Sequence, residues 1–367
     1  MKGKKVVVGL SGGVDSSVAA LLLKDKGYDV YGVTFRLLSG EKDNRRIRRQ
    51  QELQIKAAAN IARVLGIKHS VVNGQRLFKK CVVDYFLREY KEGRTPNPCL
   101  RCNRDIKFSL LKKKAASLKA GFIATGHYAV IEYDKCERKY LLKRARDKSK
   151  EQTYFLYQLK QEDLKRLLFP LGHLRKKQVV DIAKKQKFFR FLKKESQEVC
   201  FVADNDYKSF FKKYSRQPIK EGLIYDVNGR PIGRHKGLVY YTVGQRKGLG
   251  LSDKYPLYVV DIDEKNNSIT AGYKKYLYAK EFKVDDVISV LSKGFRECFE
   301  ASVKIRYGHK ASPALIRPAK NKRLKVVFKK KQMAITRGQA AVFYNRDVVL
   351  GGGTISSVTR GYNEKAG

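Results

Sequence analysis

Three apolar β-branched residues, Val6-Val7-Val8, run into a stretch of small and polar ones, and Val18, Leu21 and Leu22 then recur at helical spacing. The first pattern reads as a buried strand and the second as one face of a helix. The alternation continues along the first third of the chain. Tyr28–Phe35 reads as a strand, with Gly27 ending the helix before it. Ile55, Ala58, Ala62 and Leu65 share a helical face that Gly66 closes, and Ile67–Val72 reads as a third strand. Leu77–Tyr90 and Arg104–Leu118 read as helices and Phe122–Thr125 as another strand. Strands alternating with helices predict an α/β fold, a doubly wound parallel sheet that binds ligands at the carboxyl ends of its strands.

Ala129–Lys143 reads as a hairpin interrupting this rhythm, followed by helical stretches at Gln161–Leu168 and Arg175–Lys187. After about Tyr207, Gly and Pro punctuate short alternating runs: Gly237–Val243, Leu257–Ile262 and Ser268–Ala271, then Glu300–Arg306, Arg323–Phe328, Ala340–Tyr344 and Val348–Leu350. The expected division is a catalytic α/β domain over 1–207, a central β-rich domain over 208–280 and a C-terminal β-barrel over 281–367. A chain of 367 residues can hold these separate cores.

Charge adds a partner to this picture. Eighty Lys and Arg against 35 Asp and Glu leave +45, which points to a polyanion, most simply nucleic acid. Part of that excess is general solubilising lysine. The stretch from Ala301 to Arg346 is different, since its 13 basic residues are relieved by no acidic one. Arg45–Arg49 reads as a solvated basic loop or helix start. No run of about 18 apolar residues offers a membrane span. Met1–Lys5 leads into a strand rather than a signal-peptide core, so an intracellular, cytoplasmic location is expected.

Candidate chemistry gathers at two places. The first is Gly9-Leu10-Ser11-Gly12-Gly13-Val14-Asp15-Ser16-Ser17. A strand that turns on glycines into a helix aims backbone N–H groups and the positive helix end at one spot, as a phosphate requires. The three serines can add hydroxyl donors, and Asp15 can position a metal ion or the ribose-phosphate end. No Lys follows the second Gly, so this is not the GxxxxGK[ST] loop. The string resembles the pyrophosphatase-type loop of enzymes that adenylate an oxygen and release pyrophosphate, an adenine nucleotide alpha hydrolase-like fold.

The second place is the cysteines: Cys81, Cys99, Cys102, Cys136, Cys200 and Cys298. In an intracellular chain they are expected reduced, as catalytic or metal-binding groups rather than a disulfide framework. Cys81, Cys136 and Cys298 read as small buried hydrophobes. Cys99 and Cys102 open a helix behind Thr95-Pro96-Asn97-Pro98, flanked by Arg101 and Arg104, a setting expected to favour the thiolate.

The motifs together resemble the bacterial tRNA-specific 2-thiouridylase family almost end to end. The matching segments are Gly9–Ser17, Thr95–Phe108, Ala124–Tyr128, Lys150–Leu156, Glu195–Phe201, Tyr241–Gly248, Lys304–Tyr307 and Gly338–Phe343 through Gly351–Gly353. The resemblance implies an enzyme that uses ATP and Mg2+ to adenylate O2 of the wobble uridine of tRNA, with Glu, Gln and Lys tRNAs expected, and then places sulfur on C2. It implies ATP contacts at Gly9, Leu10, Ser11, Gly12, Gly13, Val14, Asp15, Ser16, Phe35 and Gly126, the last against the adenine. It implies a Cys200 persulfide, loaded by a sulfur-relay protein or cysteine desulfurase, with Cys102 freeing the sulfur or acting as nucleophile. The target base falls at Asn97, Pro98 and Cys99. Further tRNA contacts fall at His127, Lys150, Glu151, Gln152, Arg306, Tyr307 and Gln339.

The chain departs from the family pattern in places. Phe35 stands for a Met, Glu151 for an Asp, Leu257 for a Trp, Arg337 for a Pro, and Cys99 for an Asp beside the target base. Cys99, Cys102 and Cys200 together would suit a 4Fe–4S cluster carrying sulfide on its free iron. Three thiolates fall short of a structural zinc set. A persulfide relay and a cluster therefore stand as two routes to one product. A basic RNA-binding protein with an inert nucleotide fold stands as the third reading, separable by its lack of pyrophosphate release.

Overall fold

The computed structural model describes residues 3–38, 45–192, 199–202, 206–215, 218–291 and 294–361. Glu195, Ser196, Gln197 and Glu198 of the expected Glu195–Phe201 motif lie outside them. The first domain runs β1 (Lys5–Gly9), α1 (Val14–Asp25), β2 (Asp29–Arg36), α2 (Arg45–Leu65) and β3 (Lys68–Asn73). Two interrupted helices follow, α3 (Gln75–Phe78) with α4 (Asp84–Lys91), and α5 (Pro98–Arg101) with α6 (Ser109–Ser117). Wide π-type turns, Lys79–Val83 and Cys102–Phe108, join the halves of each. Then come β4 (Phe122–Ala124), β5 (Ala129–Asp134), β6 (Lys139–Arg144), α7 (Gln161–Leu164), β7 (Leu167–Leu168), α8 (Lys176–Lys184) and α9 (Tyr207–Tyr214).

The sheet is wholly parallel in the order β3-β2-β1-β4-β7. Val6, Val7 and Val8 have no solvent exposure at its centre, as a strand covered on both faces requires. One face packs on α1, α2 and α8 through Val18, Ala58, Ile61 and Val179. The other packs on α6 through Leu111 and Ala115. The chain winds outward through β2 and β3, then crosses to β4 on the opposite side of β1. The Gly9–Ser17 turn therefore leaves the sheet at its topological switch point.

A small four-stranded sheet, β10-β11-β8-β9, follows, built from β8 (Gly222–Tyr225), β9 (Pro231–His235), β10 (Tyr258–Asp263) and β11 (Ser268–Gly272). The last unit holds β12 (Tyr278–Ser289), β13 (Phe299–Lys304), β14 (Ser312–Ala319), β15 (Arg323–Met333), β16 (Ala340–Asn345) and β17 (Val348–Thr359). Pairing of β12 with β17 closes these six strands into an antiparallel barrel. The β5–β6 hairpin joins the same sheet beside β17, where Arg144 N–H donates to the Asp347 carbonyl at 2.8 Å. Its Leu142 shares one core with Val342, Tyr344 and Val349 of the barrel and with Val7 of the central strand.

Two expected elements take other forms. Gln161–Leu168 is not one helix: α7 stops at Leu164, and Leu167–Leu168 pair with β4 as an edge strand. Gly237–Val243 is not a strand either. Leu238–Tyr240 form a tight turn whose apolar residues are buried without a ladder. The coil after it is pinned to β10 instead, with Gly244 N–H donating to Val259 O at 2.8 Å. Among the described residues no helix is long and apolar enough to cross a membrane.

Candidate active site

Leu10 N–H donates to Val33 O at 2.7 Å, and the Thr34 hydroxyl donates back to Leu10 O at 2.6 Å. These bonds fix the loop's first residue on the sheet. Gly12 then turns with φ +78, and a Cβ there would lie 2.9 Å from Gln54 O on α2. Only glycine satisfies both the sign and the space. Ser16 accepts from Ser11 N–H at 3.1 Å and meets the Ser11 hydroxyl at 3.0 Å, while Ser17 donates to Gly13 O at 2.8 Å. Gly13, at the N-cap of α1, offers no side-chain cap. The first-turn N–H groups and the exposed Ser11 hydroxyl thus suit a phosphate.

Asp15 accepts from the Tyr128 hydroxyl at 2.8 Å and from Lys176 Nζ at 2.8 and 2.9 Å. A single carboxylate beside a phosphate cradle is the donor set Mg2+ uses, with the nucleotide supplying its other oxygens. Gly126 lies against this loop: a Cβ on it would come within 2.7–2.9 Å of the Asp15–Ser16 backbone. Its small size is thus set by the loop. Phe35 lies half-buried between two cores at the end of β2. Beyond it, a small open cavity of about 40 Å³ is lined by Leu37, Leu38, Gln75, Lys79 and Phe201, the residue after Cys200.

Asn97 caps α5 by accepting from Cys99 N–H at 3.1 Å. Cys102 is buried in the core that holds Phe78, Phe86 and Phe201, and this shared core draws the Val199–Val202 turn, with Cys200, toward it. Cys99 and Cys200 face solvent at the rim of a densely packed site. Burial nevertheless dominates all three thiols. It raises Cys99 and Cys102, and it pushes Cys200 up to about 12, helped by the charges of Cys102 and Cys99. The expected thiolate bias is therefore corrected. Arg104 is engaged by Asp105 at 2.6 and 2.9 Å, and Arg101 lies over the Tyr85 ring at 4.5 Å.

Lys107 is the cation that favours thiolates at Cys99, Cys102 and Cys200, and its charge also works against protonation of His127. It follows Cys102 by five residues inside a π-type turn, where i and i+5 come onto one side. Nothing in the 3.6-residue period would have paired them. Burial holds His127 down to about 3, neutral, with Thr125 Oγ1 at 2.8 Å from its Nδ1. Cys102, Cys200 and Cys99 influence one another, yet among the described residues no three His, Cys, Asp or Glu side chains are grouped to hold a metal ion. Of the other cysteines, Cys136 and Cys298 are exposed rather than buried, and Cys81 is half-buried.

The residues expected at tRNA fall into two groups. Tyr307 is exposed, tilts against Phe155 at 4.6 Å between ring centres, and has Lys304 Nζ 5.1 Å from its ring. Lys150 is half-exposed. Arg306 reaches the Met333 carbonyl at 3.2 Å. The others turn inward. Glu151 is buried, accepts from Thr153 and pairs with Lys304 at 3.7 Å. Gln152 accepts from Tyr128 N–H at 3.0 Å, and Gln339 donates to Thr95 O at 2.8 Å.

Family comparison agrees with this three-part layout. Residues 4–204 match the tRNA methyl transferase HUP domain, 208–273 its PRC-barrel domain, and 279–355 the aminomethyltransferase beta-barrel domain. The tRNA-specific 2-thiouridylase MnmA 2 of Caldanaerobacter subterraneus subsp. tengcongensis is 47% identical over 367 residues, covering 98% of this chain and all of its own. The MnmA protein of Clostridioides difficile is 45% identical over 360 residues, covering 96% of this chain and 98% of its own.

Proposed function

This chain belongs to the tRNA-specific 2-thiouridylase family, whose members are tRNA sulfurtransferases, and we propose that it thiolates the wobble uridine of tRNA through an adenylated base and a cysteine persulfide. The observation that carries the reading is that Cys102 and the Val199–Val202 turn with Cys200 pack on one core, in a chain whose α1 starts at a glycine turn without a side-chain cap.

ATP is bound at Gly9–Ser16, with its adenine side toward Phe35, and Mg2+ would be held by Asp15 and the phosphates to neutralise charge there. The uridine, positioned by Asn97, Pro98 and Cys99, attacks the α-phosphorus through O2. The bond to the β-phosphate breaks, pyrophosphate leaves with the electron pair, and C2 now carries AMP as a leaving group. The outer sulfur of a Cys200 persulfide attacks C2 and AMP departs. Cys102 then attacks Cys200 Sγ, a disulfide forms, the carbon keeps the sulfur, and an external thiol reductant restores both cysteines. The raised thiol pKa values favour this route over direct attack by either cysteine. A neutral thiol is a poor nucleophile, whereas a persulfide ionises more readily than the thiol that carries it.

The test is anaerobic purification followed by turnover with tRNA, ATP and a persulfide donor. We expect 2-thiouridine with one pyrophosphate per product, loss of product in Cys200→Ala, and no stoichiometric iron. About four irons per chain, lost in Cys99→Ser, would replace the persulfide with a cluster. No pyrophosphate release at all would leave an RNA-binding protein.

A further inference from the structure

The Gly9–Ser17 loop contains no cation, yet it is built to bind a triphosphate. We propose that Lys176 supplies one from 161 residues away, as a catalytic residue that grips the phosphates of ATP; this rests on the adenylation reading above.

Lys176 opens α8, which packs against α1 in the core beneath the loop. Its Nζ lies 2.8 and 2.9 Å from the two Asp15 oxygens, and both side chains are largely but not wholly buried. The lysine's own backbone is anchored as well. Asp147 accepts from Lys176 N–H at 2.8 Å and from Ser149, and these bonds hold its carboxyl below the usual range. The stem of the lysine is thus fixed by a neighbour that plays no part in the loop.

The placement answers an electrostatic problem. Asp15 lies in the first turn of α1, at the end that attracts anions. A bare carboxylate there would repel an incoming phosphate. With an ammonium on it, the pair is neutral, and the three ammonium N–H donors can turn to a stronger anion that arrives. A triphosphate carries several charges to Asp15's one and competes well for that contact. When O2 of the base attacks the α-phosphorus, negative charge moves onto the departing pyrophosphate. An ammonium already in place stabilises that charge without giving up a proton, as a phosphate-loop lysine does. Tyr128 keeps Asp15 oriented as the lysine shifts toward phosphate.

The experiment uses the full chain without tRNA, with ATP and inorganic pyrophosphate as probes. Lys176→Met is expected to weaken both by about tenfold or more, the scale of a lost charged hydrogen bond. Lys176→Arg should retain most of the affinity. With tRNA present, pyrophosphate release in Lys176→Met should fall about 100-fold while tRNA affinity is unchanged. Should Lys176→Met not fold, acylation mapping of the wild type replaces it, and saturating ATP or pyrophosphate must protect Lys176. Wild-type affinity in Lys176→Met, or unprotected Lys176, overturns the proposal alone. A wild type that binds neither probe overturns the adenylation reading together with it.

Discussion

Gln339 of the C-terminal barrel donates its side-chain amide to the Thr95 carbonyl at 2.8 Å, two residues before the Asn97 cap that starts the cysteine helix. Thr95 N–H in turn donates to Arg337 O at 2.9 Å, and Arg337 reaches the Ile262 carbonyl of the central sheet. All three domains meet at this one strap. Gln339→Ala is therefore expected to lower the rate of thiolation about tenfold, the loss of one partly buried hydrogen bond, with tRNA affinity within about twofold. Single-turnover thiolation beside filter binding separates these; a matching loss of affinity would return Gln339 to the RNA-contact surface.

Cys200→Ala removes the sulfur carrier but not the loop. Thiolation should vanish while tRNA binding stays within about twofold and ATP-dependent adenylation persists, because Cys200 takes no part in either. Trapped adenylated tRNA, detected by labelled AMP, is the measurement.

Thiol reactivity carries a pH prediction. Raised pKa values mean that the protonated form dominates at neutral pH, and the thiolate fraction grows as pH rises toward the pKa. Alkylation of Cys200 in the free protein should quicken about tenfold per pH unit between 7 and 9, without levelling. Lys107→Met should slow it further at every pH, since that ammonium is the favourable charge. A plateau below pH 8 contradicts the burial argument.

Gly126→Ala tests the packing under the phosphate turn. The added methyl meets Asp15 and Ser16 backbone rather than a movable side chain. A loss of about 1–3 kcal/mol in stability is expected, together with weakened ATP binding, read by thermal unfolding with and without ATP.

On the proposed reading, exposed Tyr307, set against half-buried Phe155 with Lys304 beside it, would stack an unpaired base. Tyr307→Ala should cost about 1–3 kcal/mol of tRNA affinity. Lys330 and Lys331 are exposed on β15, and the same reading has them meet phosphate by charge alone. Replacing both with Glu should flatten the dependence of log affinity on log salt by about two.

The sheet, its central loop and the barrel were legible because buried strands and glycine turns leave local patterns. What escaped was set by distance along the chain. β7 is two residues long and exists because β4 offers an edge, while Leu238–Tyr240 looked like a strand because burial alone gives the same alternation. Lys176 carries no local mark, since its meaning lies in Asp15. The thiolate expectation read Arg101 and Arg104 as neighbours in sequence, but Tyr85 and Asp105 had already engaged them. Glu151 and Gln152 sit in a matching motif, yet their side chains are turned into the protein.

The β5–β6 hairpin, made early in synthesis, finds its neighbouring strand only when residues near Val348 emerge. Until then the finished nucleotide domain presents an open sheet edge and the apolar Leu142 that the barrel covers. A ribosome stalled, or a gene truncated, after the α/β domain would release a sticky fragment rather than a working half-enzyme. Quality control would thus remove catalytic domains that lack their barrel, and a split version of this enzyme would need the hairpin transferred to the barrel's piece.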